Sequence, residues 1–107
     1  MIGFQITFFT QQDRRHKGKP LGEWLVHLSK EMGLGGATLI TAAESFGHHR
    51  HIHSAHFFKL ADQPLEVVIA ATEQEATRLF DRLRAEGVQV FYVKTPVEFG
   101  KLGEGDS

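Results

Sequence analysis

Leu65-Glu66-Val67-Val68-Ile69-Ala70-Ala71 runs without a break into Thr72-Glu73-Gln74-Glu75-Ala76, and this join decides the fold. Leu65, Val67 and Ile69 alternate with Val68 and Ala70, so the first part reads as a strand that is apolar on both sides. Thr72 with Glu75 three residues on is a capping box, which opens a helix at once. Ala76, Leu79, Phe80 and Leu83 continue it at helical spacing, and Gly87 stops it. Glu73 and Glu75 sit in its first turn and Arg78, Arg82 and Arg84 later, which complements the helix dipole. Val88 to Val93 then reads as a last strand. Val88, Val90 and Tyr92 point one way, and Phe91 and Val93 the other. The C-terminal half is therefore strand, helix, strand.

Working back towards the start gives the same order. Phe4 to Thr10 alternates as a strand, and Gln11 to Lys19 is a polar, basic loop. Pro20 sits at a helix start, where proline is tolerated. Leu21, Leu25, Leu28 and Met32 follow at helical spacing with Trp24 beside them, and Gly33, Gly35 and Gly36 end the helix. Ala37 to Phe46 reads as a second strand, Gly47 to Arg50 as a turn, and Ile52 to Leu60 as an added hairpin strand that Asp62-Gln63-Pro64 breaks. The expected class is α+β, a ferredoxin-like βαββαβ sandwich with an elaborated β-hairpin between the second and third core strands. Residues 1–99 form the domain, and 100–107 is a Gly-rich, charged tail expected to fray.

Two helices cover one face of such a sheet. The strands at Leu65 and Val88 are apolar on both faces, whereas a half-solvated antiparallel sheet shows polar residues on one. With no spare helix in the chain, self-association through the second face is the expected cover.

Composition narrows the function. The 107 residues suit one domain, and 41% apolar residues, nine of them Phe, suffice for one core. A net charge of −1 offers no field for nucleic acid or an anionic membrane. Cysteine is absent, which removes disulfides and thiolate metal sites and fits a reducing, cytoplasmic setting. No basic segment leads into an apolar run at the start, so no signal peptide is expected, and no apolar stretch is long enough to span a bilayer.

Asp13-Arg14, Gly18-Lys19-Pro20-Leu21 with Glu23, Gly33-Leu34 with Gly36-Ala37-Thr38, Phe46-Gly47 and Ile52-His53-Ser54-Ala55 occur in that order. With Pro64 to Ile69 and the Thr72 helix, they resemble a bacterial and archaeal family of PII-like proteins of uncharacterised function, over about residues 4–95. The resemblance implies a ferredoxin-like trimer whose three sheets pack face to face. More distantly the chain is similar to nitrogen-regulatory PII proteins and CutA. The likeness to PII implies a partner-contacting loop from Glu44-Ser45-Phe46-Gly47 to about Gln63, and a ligand cleft between subunits near its base. PII proteins carry a Gly-Asp-Gly-Lys type phosphate loop before the last strand. This chain has Ala85-Glu86-Gly87-Val88 there, which speaks against PII-style ATP binding.

Two clusters are candidates for chemistry. His48, His49, His51, His53 and His56 crowd one segment, and in an extended strand His49, His51 and His53 share a face. Neutral imidazoles ligate zinc, copper or nickel, so His48, His49, His51 and His53 are a candidate divalent transition-metal set. They also suit a proton switch. A solvated hairpin is the simpler reading, since no carboxylate or thiolate accompanies them at tight spacing. The second cluster, Arg14, Arg15, His16, Lys17 and Lys19, leads into the helix start at Pro20, where free N–H groups favour anions. A solvated basic loop is the equal alternative. No nucleophile motif or carboxylate pair appears, so the chain is not expected to be an enzyme. An RNA-recognition module shares the strand order, but its glycine-aromatic run is missing.

The expectation is a PII-like homotrimer that binds a small anionic ligand, a nucleotide among the candidates, between subunits. Gly47, Arg50, His51 and His53 form one proposed ligand set, and Arg14, Lys17 and Lys19 a second. The hairpin would present itself to a regulated partner protein, such as a membrane transporter. A metal-responsive protein and a non-catalytic scaffold are the alternatives.

Overall fold

The structure is a computed structural model that describes residues 1–41 and 64–103. Its elements are β1 (Ile2–Gln11), β2 (Arg15–His16), β3 (Lys19–Pro20), α1 (Leu21–Glu31), β4 (Gly36–Thr41), β5 (Pro64–Thr72), α2 (Glu73–Ala85) and β6 (Phe91–Glu98). Four strands make one antiparallel sheet in the order β4-β5-β1-β6. Each helix therefore carries the chain over one intervening strand, the split βαβ arrangement of the ferredoxin-like fold.

The alternation read from the sequence becomes the core. Ile6 and Phe8 of β1 and Leu65, Val67, Ile69 and Ala71 of β5 all face the helices and are buried. Leu21, Trp24, Leu25 and Leu28 of α1 and Ala76, Leu79 and Leu83 of α2 close over them. The rings of Phe8, Phe80 and Tyr92 meet at the β6 side, with Phe80 and Tyr92 4.8 Å apart. The capping box at α2 is complete. The Glu75 N–H donates to Thr72 Oγ1 at 3.2 Å, and the Thr72 N–H donates to Glu75 Oε1 at 2.9 Å.

Three sequence expectations are corrected. The last strand does not begin at Val88. Val88 and Val90 are half-buried connectors packed on the core, and β6 starts at Phe91. Proline at position 96 is compatible with that later strand because β6 lies at the sheet edge. Pro20 is the residue before α1, not its first turn. The basic loop holds a small hairpin, β2 against β3, turned by Lys17 and Gly18 with φ of 53° and 81°. Two consecutive left-handed residues are what a tight two-residue hairpin needs. The second strand is described as far as Thr41. The turn at Gly47 and the strand from Ile52 lie outside the described residues.

Strand register sorts the face away from the helices into rows. Ile40, Glu66, Phe9 and Phe91 form one, and Thr38, Val68, Thr7 and Val93 the next. No described element packs over this face. Ile40, Val93 and Phe91 are 40%, 44% and 69% exposed. The face is thus mixed, and its apolar part is concentrated where β1 ends and β6 begins.

Candidate functional site

That same end of the sheet carries a cavity of about 630 Å³, lined by Phe9, Thr10, Gln11, Arg14, Gln89, Val90 and Phe91. Two segments far apart in sequence make its walls: the end of β1 with the turn after it, and the link from α2 to β6. Arg14 is fixed from several directions. Its N–H donates to the Gln11 carbonyl at 3.2 Å, and its carbonyl accepts the Leu21 N–H at 2.7 Å. Its guanidinium donates to the Gln89 carbonyl at 2.7 Å. That acceptor is neutral, so the cation lining the cavity keeps its full charge. Thr10 lines the cavity too. Its hydroxyl is buried and finds no hydrogen-bond partner among the described residues. An orphaned buried hydroxyl is a local cost to the fold at the cavity wall.

Two residues of the basic hairpin, His16 and Lys17, are held by one carboxylate. Glu86 follows the last turn of α2, and its side chain is only 14% exposed. Its Oε1 lies 3.0 Å from Lys17 Nζ and 3.1 Å from His16 Nε2, and its Oε2 lies 3.3 Å from Arg82 Nε. Lys17 above all, then His16, pulls the Glu86 carboxyl from 4.5 down to about 2 against the opposing effect of burial. His16 in turn stands edge-on to Trp24, ring centres 4.3 Å apart. The hairpin is thereby pinned to the end of α2 by charge and to α1 by ring contact.

Of the residues proposed from sequence, the structure brings Arg14 to the cavity. It directs Lys17 to Glu86, and it leaves Lys19 exposed on β3. The expected anion site at the start of α1 is partly used internally, since the Leu21 N–H already serves the Arg14 carbonyl. Gly47, Arg50, His51 and His53, and the metal set His48, His49, His51 and His53, lie outside the described residues. Among the described residues no three His, Asp or Glu side chains group as metal ligands, and no helix is long and apolar enough to cross a membrane. Sequence reasoning missed Thr10, Gln11, Glu86, Gln89 and Phe91 as site residues. Glu86 lies 70 residues from His16, so only the closed sheet reveals the pair.

The sheet order and the two covering helices define an α+β protein of ferredoxin-like fold. Residues 3–98 match the DUF190 family, described as "Uncharacterized ACR, COG1993", and the chain belongs to that family. A UPF0166 protein of Aquifex aeolicus (strain VF5) is 29% identical over 97 residues, covering 82% of this chain and 92% of that protein. Among solved structures, a Thermus thermophilus protein classed as PII-like signaling superposes with a TM-score of 0.62 at 21% identity, covering 91% of this chain and 88% of that one. CPII of Thiomonas intermedia K12, solved with ADP, AMP and acetate, superposes with a TM-score of 0.58 at 14% identity, covering 94% and 93%. At these identities the structural likeness speaks for the fold.

Proposed function

We propose that the chain is a non-catalytic, PII-like regulatory protein that binds a small anionic ligand, a nucleotide foremost, in the cavity beside Arg14. The observation that carries this reading is the composition of that cavity. One guanidinium offers charge, Gln11 and Gln89 offer amides, and Phe9 and Phe91 offer flat apolar surface, their rings 5.6 Å apart. Such a set suits a planar group bearing an anion, and pockets of this size hold small ligands. The binding of ADP and AMP by the similarly folded CPII supports the same reading.

The cavity opens beside the apolar end of the uncovered sheet face. A homotrimer packed through that face would cover Phe91 and place each cavity at a seam between copies. The other proposed ligand set, Gly47, Arg50, His51 and His53, and the role of its segment in meeting a partner protein are argued from sequence resemblance.

Calorimetric titration with AMP, ADP and ATP tests the proposal. Binding by the wild type should weaken at least tenfold in Arg14→Ala, since a charge-assisted hydrogen bond contributes about 1.5–3 kcal/mol. Equal binding by both proteins, or none by the wild type, would refute the assignment. Parallel titrations with zinc, copper and nickel test the histidine set. Tight metal uptake lost in a His49/His51 double alanine variant, with no nucleotide binding, would replace this reading with the metal-responsive one.

A further inference from the structure

Two ties hold the β2–β3 hairpin against the link from α2 to β6, and they differ in charge. Arg14 meets the neutral Gln89 carbonyl. Lys17 and Arg82 share the single carboxylate of Glu86, with His16 as a further partner. Glu86 lies three residues before Gln89, and Lys17 three after Arg14, so both ties belong to one seam, whose Arg14–Gln89 end lines the cavity. Side by side, the seam holds one cation facing the cavity and two cations already answered by an internal anion.

We infer that Glu86 is a specificity-determining residue of the cavity: it occupies Lys17 and Arg82, and so restricts the site to ligands with one phosphate- or carboxylate-sized anionic group. This rests on the ligand site proposed above. A ligand with a single anionic group needs only Arg14, while the Gln11 and Gln89 amides meet its uncharged parts. A polyphosphate brings further charges, which Lys17 and Arg82 cannot answer while Glu86 holds them, and the ionised Glu86 repels those charges. Removing that carboxylate raises the local charge by one and releases Lys17. Its side chain is 64% exposed, so it has room to turn towards a ligand.

The test uses orthophosphate, pyrophosphate and tripolyphosphate as probes at low salt. Trp24 gives the optical signal, being the sole tryptophan and in contact with His16. Wild type should bind orthophosphate at least as well as tripolyphosphate. Glu86→Gln should shift the preference towards tripolyphosphate by about fivefold, the order of effect of removing one unit charge in a medium between protein and water. The Lys17→Gln/Glu86→Gln double variant should lose most of that gain, which separates charge from any loosening of the seam. Wild-type binding of orthophosphate with an unchanged order in Glu86→Gln would overturn the inference and leave the ligand site standing. No binding of any phosphate by either protein would overturn the inference. The nucleotide titration of wild type against Arg14→Ala then decides the site independently.

Discussion

Replacing Phe91 by Asp tests whether copies of the chain shelter each other. Phe91 is 69% exposed, beside Phe9 and at the apolar end of the uncovered face. Fully burying a phenylalanine is worth about 1.5–3 kcal/mol, so covering the exposed part of this ring contributes about 1–2 kcal/mol per subunit. Over a trimer the loss is about 3–6 kcal/mol, or roughly 10² to 10⁴ in the association constant, before the cost of burying carboxylates is added. The ring is outside the core, so the fold of each chain should survive. Sedimentation equilibrium at micromolar concentration should find wild type as a trimer and Phe91→Asp as a monomer, with matching far-ultraviolet circular dichroism. A wild type that is monomeric at these concentrations would refute the reasoning. So would a variant that stays trimeric with undiminished affinity, since the ring would then lie outside the contact.

Other outcomes follow from local geometry. Thr72→Ala removes the side-chain acceptor of the Glu75 N–H and should cost about 1 kcal/mol, read as a shift in the urea midpoint at unchanged slope. Glu86 has a folded pKa of about 2, below its ordinary 4.5. Its stabilising effect is therefore present above about pH 4.5 and is lost as pH falls through 2. The stability difference between wild type and Glu86→Gln, followed by denaturation from pH 7 to 2, should shrink over that window. A difference independent of pH would show that Glu86 acts through packing.

Much of the fold was legible because it rests on local patterns. Leu65 to Ala71 alternates, Thr72 and Glu75 cap, and Leu21, Leu25 and Leu28 recur at helical spacing, each signal lying within a few residues of itself. The last strand shows where such reasoning fails. Val88 and Val90 alternate like a strand, yet they are spent on the core before the strand starts. Lys94 breaks the apolar pattern on the helix side of β6. The fold accommodates it by laying its ammonium over the Phe4 ring at 4.6 Å and near the Phe80 ring at 5.5 Å, an attraction that no periodicity reveals. The site was less legible for a related reason. Arg14 could be suspected from the density of cations around it. Gln89 becomes its neighbour, and Glu86 that of His16 and Lys17, only because β6 returns alongside β1.

The strand order has a consequence for how the protein is made. β1 is translated first of the described elements, yet it lies in the middle of the sheet, and its partners β5 and β6 are translated far later. Until then both its hydrogen-bonding edges are open and Phe9, on the face away from the helices, has no shelter. A nascent chain in that condition is prone to stick to its fellows, and closure over such long separations is slow. Yield in the cell should accordingly depend on helpers that shield young polypeptides, more than the small size of the finished molecule would suggest.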